Sequence, residues 1–193
     1  MKTNRLEAFS DGVMAVIITV MVLELKVPQT GTVAALVAVA PPLLVYGLSF
    51  AVVAIMWVNH HSMLERARRA EPALLWANNN LLFWMSLTPF STAYLGQHCY
   101  EKLAVGLYGA VMVCSCSAFL VLQITLARQQ ADDPEHQLLF RRLNHKAMAS
   151  IGSYAASVGL AFWSVYASFA VFVIIPLLYF WPEQKGATGE KAG

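Results

Sequence analysis

The chain alternates long apolar segments with short polar ones, and the apolar segments have the length of membrane-spanning helices. Four stretches contain no Asp, Glu, Lys or Arg, namely residues 27–64, 72–100, 103–127 and 147–182. A helix needs about 20 predominantly apolar residues to cross the hydrocarbon core of a bilayer. Each stretch therefore has room for one crossing, except the last, which has room for two.

This pattern predicts an all-α, polytopic membrane protein whose single domain, residues 1–181, holds six transmembrane helices. The predicted spans are about residues 6–25, 36–64, 74–97, 103–127, 144–162 and 164–181. Pro41 and Pro42 mark either a kink in the second span or its true start. No strong turn signal separates the fifth span from the sixth, so one long kinked helix is an alternative there. The small, charged tail 182–193 is predicted to be disordered.

Composition excludes a soluble domain. Hydrophobic residues make up 58% of the chain and charged residues 12%, whereas about a quarter of a typical soluble domain is charged. Two of the three cysteines, Cys114 and Cys116, fall inside an apolar span, where a thiol usually serves as a small packing residue. We therefore expect neither a disulfide framework nor a cysteine metal site.

Basic residues are unevenly distributed among the connections. If the N-terminus is inside, the inner segments hold 11 Lys and Arg residues and the outer ones only Lys26 and Lys102. Because basic residues favour the cytoplasmic side, both termini are predicted to be cytoplasmic in the cell inner (plasma) membrane.

Polar residues inside the spans are the candidates for function. They are Ser10 and Asp11 in the first span, the run "WVNHH" (57–61) in the second and "NNN" (78–80) in the third. Ionisable groups at such depth usually face a bundle interior, a partner or water. The spans contain no paired carboxylates, and the chain has no Gly-x-Ser-x-Gly or His-Glu-x-x-His motif. We therefore expect no enzyme activity, no cofactor and no metal site.

Asp11 is expected to find its partner on another helix or subunit. Arg5 is six residues away, too far for a direct pair along one helix face, and Glu7 at four residues would add a like charge. A bracing role between helices is favoured over direct chemistry.

His60 and His61 allow two interpretations, a metal or proton site and a polar clamp. Because adjacent residues point in different directions on a helix, the two form a poor bidentate metal site. A clamp on Ser10 or Asp11 is favoured. The asparagines of the third span are interpreted as contacts between helices.

Beyond Asp11, the residues Val16, Val20 and Leu23 follow helical spacing along one stripe, with Thr19 beside them. Nearly every residue from 12 to 23 is apolar, so periodicity alone does not separate a pore lining from lipid contact or ordinary core.

Three motifs in order resemble one known family, the lysosomal potassium channel called transmembrane protein 175, in its bacterial single-repeat form. The first helix, "RLEAFSDGVMAVIITVMVLEL", resembles the family signature Arg-x-x-x-Phe-Ser-Asp through Arg5, Phe9, Ser10 and Asp11. "MWVNHH" resembles the second-helix motif through Trp57, His60 and His61. "NNNLLFWMSLTPFSTAYLG" resembles the third-helix pattern, with Asn79 as its bracing asparagine.

The resemblance implies a homotetramer in the lipid bilayer that passes potassium and other monovalent cations, with no cofactor and no nucleic-acid partner. It implies that the first helix lines a central pore, that the Arg and Phe-Ser-Asp residues brace this helix, and that apolar side chains form the narrow point. The matching positions are Val16, Val20 and Leu23, with the family threonine at Thr19. No "TVGYG"-like filter sequence is present.

One departure from the family concerns the size of the constriction. The family usually carries the larger Ile or Leu at the first two ring positions, where this chain has Val16 and Val20. Smaller side chains should widen a constriction that gates by dewetting. We therefore expect passive conduction with weak selectivity for potassium over sodium.

Two other functions are considered. One is a proton channel or proton-coupled carrier that uses Asp11 and His60 as a relay. The absence of a convincing repeat between 1–97 and 98–181 speaks against a carrier. The other is a non-conducting scaffold or membrane enzyme, which a measurement of conductance would distinguish.

Overall fold

The computed structural model describes residues 3–67, 69–129 and 134–180, and every regular element in these ranges is a helix. The helices are α1 Thr3–Leu23, α2 Val33–Ala38, α3 Ala40–Leu64, α4 Pro72–Ser86, α5 Thr88–Gln97, α6 Lys102–Gln129, α7 Pro134–Trp163 and α8 Val165–Phe180. The all-α prediction is thereby confirmed for the described part of the chain. The predicted tail 182–193 lies outside it.

Prolines divide two of the predicted spans. The region of the second span contains α2 and α3, which meet at Val39, and that of the third contains α4 and α5, which meet at Leu87. Each second helix has proline in its first two positions, where the missing N–H costs no helical hydrogen bond. Val39 and Leu87 keep right-handed helical backbone angles, so the helix axis bends there without reversing. Within the described residues, α1, α3 and α6 are each long and apolar enough to cross a membrane.

The last two helices form an antiparallel hairpin that turns at Ser164. Near the turn, the Ser168 hydroxyl donates to the Ser157 carbonyl at 2.8 Å, and farther away Ser150 Oγ lies 3.0 Å from Tyr179 Oη. With distance from the turn, the residue numbers of the contacting pairs fall along α7 and rise along α8, which is the pattern of antiparallel helices. The structure therefore has two helices here and not one long kinked helix. It also starts α7 at Pro134, so part of the polar connection before residue 144 is helical.

Helix α6 lies at the centre of the bundle and packs most extensively against α7. Gly109 permits this close approach, because a Cβ at that position would lie 2.8 Å from Val158 Cγ2. By contrast, α1 lies at the edge and packs against α3, α4 and α5 on one side. Its other side is left uncovered by the residues that the structure describes.

Candidate functional site: the first helix and its polar brace

One face of α1 is buried and anchors the helix in the bundle. Its buried residues recur at intervals of three or four, and they are Leu6, Ser10, Met14, Ile17 and Met21. Met14 and Ile17 join an apolar cluster with Leu81 and Met85 of α4. This spacing is that of one helical stripe, and it fixes the rotation of α1 about its own axis.

The opposite side of α1 exposes the residues that the sequence predicts at the narrow point of a pore. We call Val16, Thr19, Val20 and Leu23 the α1 stripe. Val16 is 58% exposed, Val20 37% and Leu23 79%. Thr19 is also exposed, but its hydroxyl donates to the carbonyl of Val16 at 2.9 Å and so is occupied by its own helix. The stripe is thus mostly apolar, and none of the described residues covers it.

An apolar groove borders this stripe. One wall consists of α1, including Phe9, Val16 and Val20, and the other includes Pro89 and Phe90 of α5. Phe9 is 56% exposed and Phe90 62% exposed. Large exposed apolar surfaces of this kind are typical of contacts with another protein or with lipid.

Polar contacts hold the N-terminal half of α1 from the other side. We call Glu7, Ser10, Asp11, Trp57, His60, His61 and Asn78 the polar brace. Trp57 Nε1 of α3 donates to Asp11 Oδ1 at 2.9 Å. His61 Nδ1, also of α3, lies 2.8 Å from Glu7 Oε1. Sequence reasoning placed the partner of Asp11 on another helix or subunit, and the structure gives Trp57.

The buried centre of the polar brace is a hydrogen-bonded line through three helices. Asn78 Nδ2 of α4 donates to Ser10 Oγ at 3.0 Å, and Ser10 donates onward to the Leu6 carbonyl at 2.8 Å. The amide oxygen of Asn78 lies 2.8 Å from His60 Nε2. An amide oxygen only accepts, so in this orientation of Asn78 the contact is a hydrogen bond when His60 carries a proton on Nε2. Ser10, His60 and Asn78 are each 0% exposed.

Two predicted contacts are revised. His60 does not clamp Ser10 or Asp11 directly but reaches Ser10 through Asn78. The bracing asparagine is Asn78 and not Asn79, which lies on the exposed side of α4. Successive residues on a helix point about 100° apart, so one of the two must face away from α1 and α3. A signal for Asn78 was present, because it lies in line with the buried Leu74, Leu81 and Met85, whereas Asn79 does not.

Arg5 is exposed on α1, on the same side as Phe9. Neither residue therefore braces α1 from the buried side. Glu7, which sequence reasoning treated only as a nearby like charge, is instead the partner of His61.

A metal ion could be held by only one group of residues in the described chain. Side-chain ligand atoms of Glu7, Asp11 and His61 lie within 4.8 Å of one another. His60 is not a member of this group. Because Trp57 and His61 already contact the two carboxylates, the internal contacts of the brace account for this group without an ion.

A second polar line ties α3, α5 and α6 together near the other end of α1. Thr92 donates to Ser49 Oγ at 2.8 Å, and Ser49 donates to the Tyr108 hydroxyl at 3.1 Å. Thr92 Oγ1 also lies 3.8 Å from the sulfur of Met21 on α1. Sequence reasoning missed these residues, since single Ser and Thr residues are common in membrane helices.

Comparison with known proteins shows similarity to one family of ion channels. The family model described as the endosomal/lysosomal potassium channel TMEM175 matches residues 5–89. A potassium channel of Chryseobacterium sp. (strain P1-3) is 34% identical, over 96% of this chain and 96% of that protein. The human endosomal/lysosomal proton channel TMEM175 is 29% identical over 84% of this chain and 37% of its own length.

The fold has a solved counterpart. The crystal structure of a lysosomal potassium-selective channel TMEM175 homolog from Chamaesiphon minutus superposes with a TM-score of 0.81 and is 30% identical in sequence. The match covers 92% of this chain and 95% of that one. The similarity therefore extends well beyond the first three predicted spans that carry the sequence motifs.

Proposed function

Because the chain belongs to the TMEM175 family of endosomal/lysosomal potassium channels, we propose that it is a potassium-permeable cation channel whose pore is lined by α1. Membership makes the chain a multi-pass membrane protein and an ion channel. The pore, its constriction and its selectivity are our proposals.

The proposed subunit crosses the membrane six times, with α2–α3 and α4–α5 each forming one bent span. Both termini face the cytoplasm of the cell inner membrane. The distribution of basic residues supports this orientation, and the antiparallel α7–α8 hairpin supports separate fifth and sixth crossings.

The proposed assembly is a homotetramer with α1 nearest the symmetry axis. A single subunit leaves the α1 stripe and the neighbouring groove uncovered, and closed rotational symmetry would bring four stripes together. The observation that carries the proposal is this contrast between the two sides of α1. One side is fixed by a buried polar network, while the α1 stripe on another side consists of three apolar side chains and a self-bonded threonine.

In the proposed pore, Val16, Val20 and Leu23 form successive apolar rings, and ions pass by diffusion. Hydrophobic constrictions gate by dewetting, so the width of a ring decides how readily it holds water. Valine rings are wider than isoleucine or leucine rings would be. We therefore expect weak selectivity for potassium over sodium. We also expect that the ion flux does not saturate, whereas the flux through a carrier does.

The test is conduction by the purified protein in lipid bilayers, together with its mass in lipid nanodiscs. We expect cation currents that increase in proportion to driving force and a mass of four subunits. A protein of tetrameric mass that passes no current would leave the scaffold interpretation standing. A monomeric mass would contradict the pore.

Proton conduction through Asp11 and His60 is the second candidate, and the name of the human relative favours testing it. Asp11 contacts Trp57 and His60 contacts Asn78, so the two titratable groups belong to separate hydrogen-bonded pairs. Asp11→Asn keeps an oxygen to accept from Trp57 but cannot carry a proton, and His60→Gln keeps a donor for Asn78. If both variants retain the wild-type ratio of proton to potassium flux, the relay is excluded. A selective loss of proton flux would establish it.

A further inference from the structure

A cleft on the side of the subunit away from the groove has no role in the proposed pore. It lies between α3 and α7, which have few contacts with each other, and residues of α6 and α8 also line it. Its volume is ≈ 380 Å³, at the lower end of the roughly 300–1,000 Å³ typical of ligand pockets. Most of the wall is apolar, including Val52, Phe119 and Ile175.

One buried polar atom in this cleft lacks a partner. Gln123 of α6 is 4% exposed, and its Oε1 makes no hydrogen bond within the described chain. A buried acceptor without a donor is costly, and native structures rarely keep one without a reason. Since Gln123 lines the cleft, a donor supplied by an occupant of the cleft would satisfy it.

Basic side chains lie at the cytoplasmic end of the same cleft. Lys146 lines it, and Arg142 is four residues earlier on α7, which places both on one helix face. Both residues are exposed. Ser150, one turn beyond Lys146, contacts the hydroxyl of Tyr179 at 3.0 Å and continues the polar edge inward. The cleft is therefore cationic at one end and apolar beyond.

We propose that this cleft binds one anionic phospholipid from the cytoplasmic leaflet. An acyl chain occupies the apolar part, the phosphate lies at Lys146 and Arg142, and a hydroxyl of the headgroup donates to Gln123 Oε1. Basic pockets between membrane helices on the cytoplasmic side recognise acidic headgroups in this way. The assignment rests on the proposed membrane orientation, but it does not require that the protein conduct.

The lipid would contact α3 on the side opposite the polar brace. Asn59 lines the cleft, whereas Trp57, two residues earlier, contacts Asp11 of α1. Two residues on a helix are about 200° apart, so the two side chains leave α3 on opposite sides. A bound lipid would therefore support α3 from behind while Trp57 holds α1 in front.

The test measures which lipids stay bound to the detergent-purified, full-length protein, by native mass spectrometry after titration with phosphatidylglycerol. We expect one lipid per subunit, with preference for phosphatidylglycerol over phosphatidylcholine. Lys146→Ala should weaken phosphatidylglycerol binding roughly fivefold, which is the contribution of one basic residue near a charged lipid headgroup. Lys26→Ala, an exposed lysine of the 24–32 connection, is the matched control and should change nothing.

Gln123→Leu tests the headgroup contact separately. Phosphatidic acid lacks the headgroup glycerol and its hydroxyls, so the wild type should prefer phosphatidylglycerol to phosphatidic acid. The variant should lose this preference but still bind acidic lipid better than phosphatidylcholine. The proposal is overturned if no lipid is retained, or if Lys146→Ala and Lys26→Ala bind phosphatidylglycerol equally. Currents from the same preparations separate the two proposals, because a lipid-binding protein that passes no current would contradict only the channel.

Discussion

The indole of Trp57 donates a 2.9 Å hydrogen bond to the carboxylate of Asp11, and this contact fastens α1 to α3. Asp11 is five residues before Val16, or about 500° around the helix, so the two leave α1 about 140° apart. The same helix is therefore hydrogen-bonded to α3 on one side and exposed on another. The first prediction concerns this hydrogen bond.

Replacing Trp57 by Phe should destabilise the subunit by about 1.5 kcal/mol, near the lower limit for a hydrogen bond to a charged group, since Trp57 is 41% exposed. Phenylalanine keeps one aromatic ring but loses the fused ring that carries the N–H donor, and the control variant loses the same atoms. Thermal unfolding of the purified protein in detergent measures the change. Trp76→Phe is the matched control, because Trp76 is 75% exposed on α4. Equal melting temperatures for the two variants would count against the brace.

Asn78 and Asn79 provide a second pair of matched variants. Asn78→Leu removes the amide that links His60 to Ser10 and leaves two buried polar groups without this partner, at a cost of about 1–3 kcal/mol each. Asn79→Leu changes an exposed position and should lie within about 0.5 kcal/mol of wild type. Chemical unfolding in detergent gives both values. The reverse order would show that Asn79 is the bracing residue.

The third prediction concerns the close approach of α6 and α7. A Cβ at Gly109 would meet Val158 Cγ2 at 2.8 Å, whereas a Cβ at Gly106 would meet nothing within 4 Å. Gly109→Ala should therefore lower stability by about 1–3 kcal/mol through overpacking. Gly106→Ala should be neutral or stabilising, since alanine favours a helix by up to about 1 kcal/mol. Melting temperatures that rise for both variants would mean that Val158 can move aside.

The fourth prediction concerns the proposed rings. Val16→Asn places a polar side chain in the α1 stripe and should raise the conductance by favouring water in the constriction. Val22→Asn is the matched control, because Val22 is 44% exposed on the same helix but leaves it 120° away from Val16. Single-channel recordings of both variants make the comparison. A larger effect at Val22 would place the pore on another face.

The positions of the helices could be predicted from the sequence because hydrocarbon thickness sets the length of an uncharged segment. The two bends were not equally predictable. Pro41 and Pro42 indicated the first bend, whereas Pro89 was not recognised as marking the second. The predicted spans place a break between residues 162 and 164, but the residues of the turn at Ser164 carry no signal for it. The turn contains neither glycine nor proline, and the Ser164 Oγ accepts a backbone hydrogen bond from Ala167 N at 3.4 Å in a role that many serines could take.

The site was predictable in part. Asp11 required a partner beyond its own helix, because no basic residue lies within reach along α1. The identity of that partner depends on the orientation of α3 about its own axis. The polar run WVNHH (57–61) offers several possible partners and does not specify this orientation. Asn78 was one of three candidate asparagines, and Asn79 was chosen in its place because three consecutive asparagines look alike. Only the buried apolar spacing of α4 distinguishes the first from the other two.

The central claim is that the α1 stripe is the narrow part of a cation pore, and reversal potentials test it most directly. With potassium on one side of the bilayer and sodium on the other, the wild-type protein should give a reversal potential close to zero, displaced only slightly in the direction of potassium selectivity. Val16→Ile should narrow the first ring and move the reversal further in that direction, while Val22→Ile leaves it unchanged. Strong potassium selectivity in the wild type, or equal reversal potentials for all three proteins, would contradict the account.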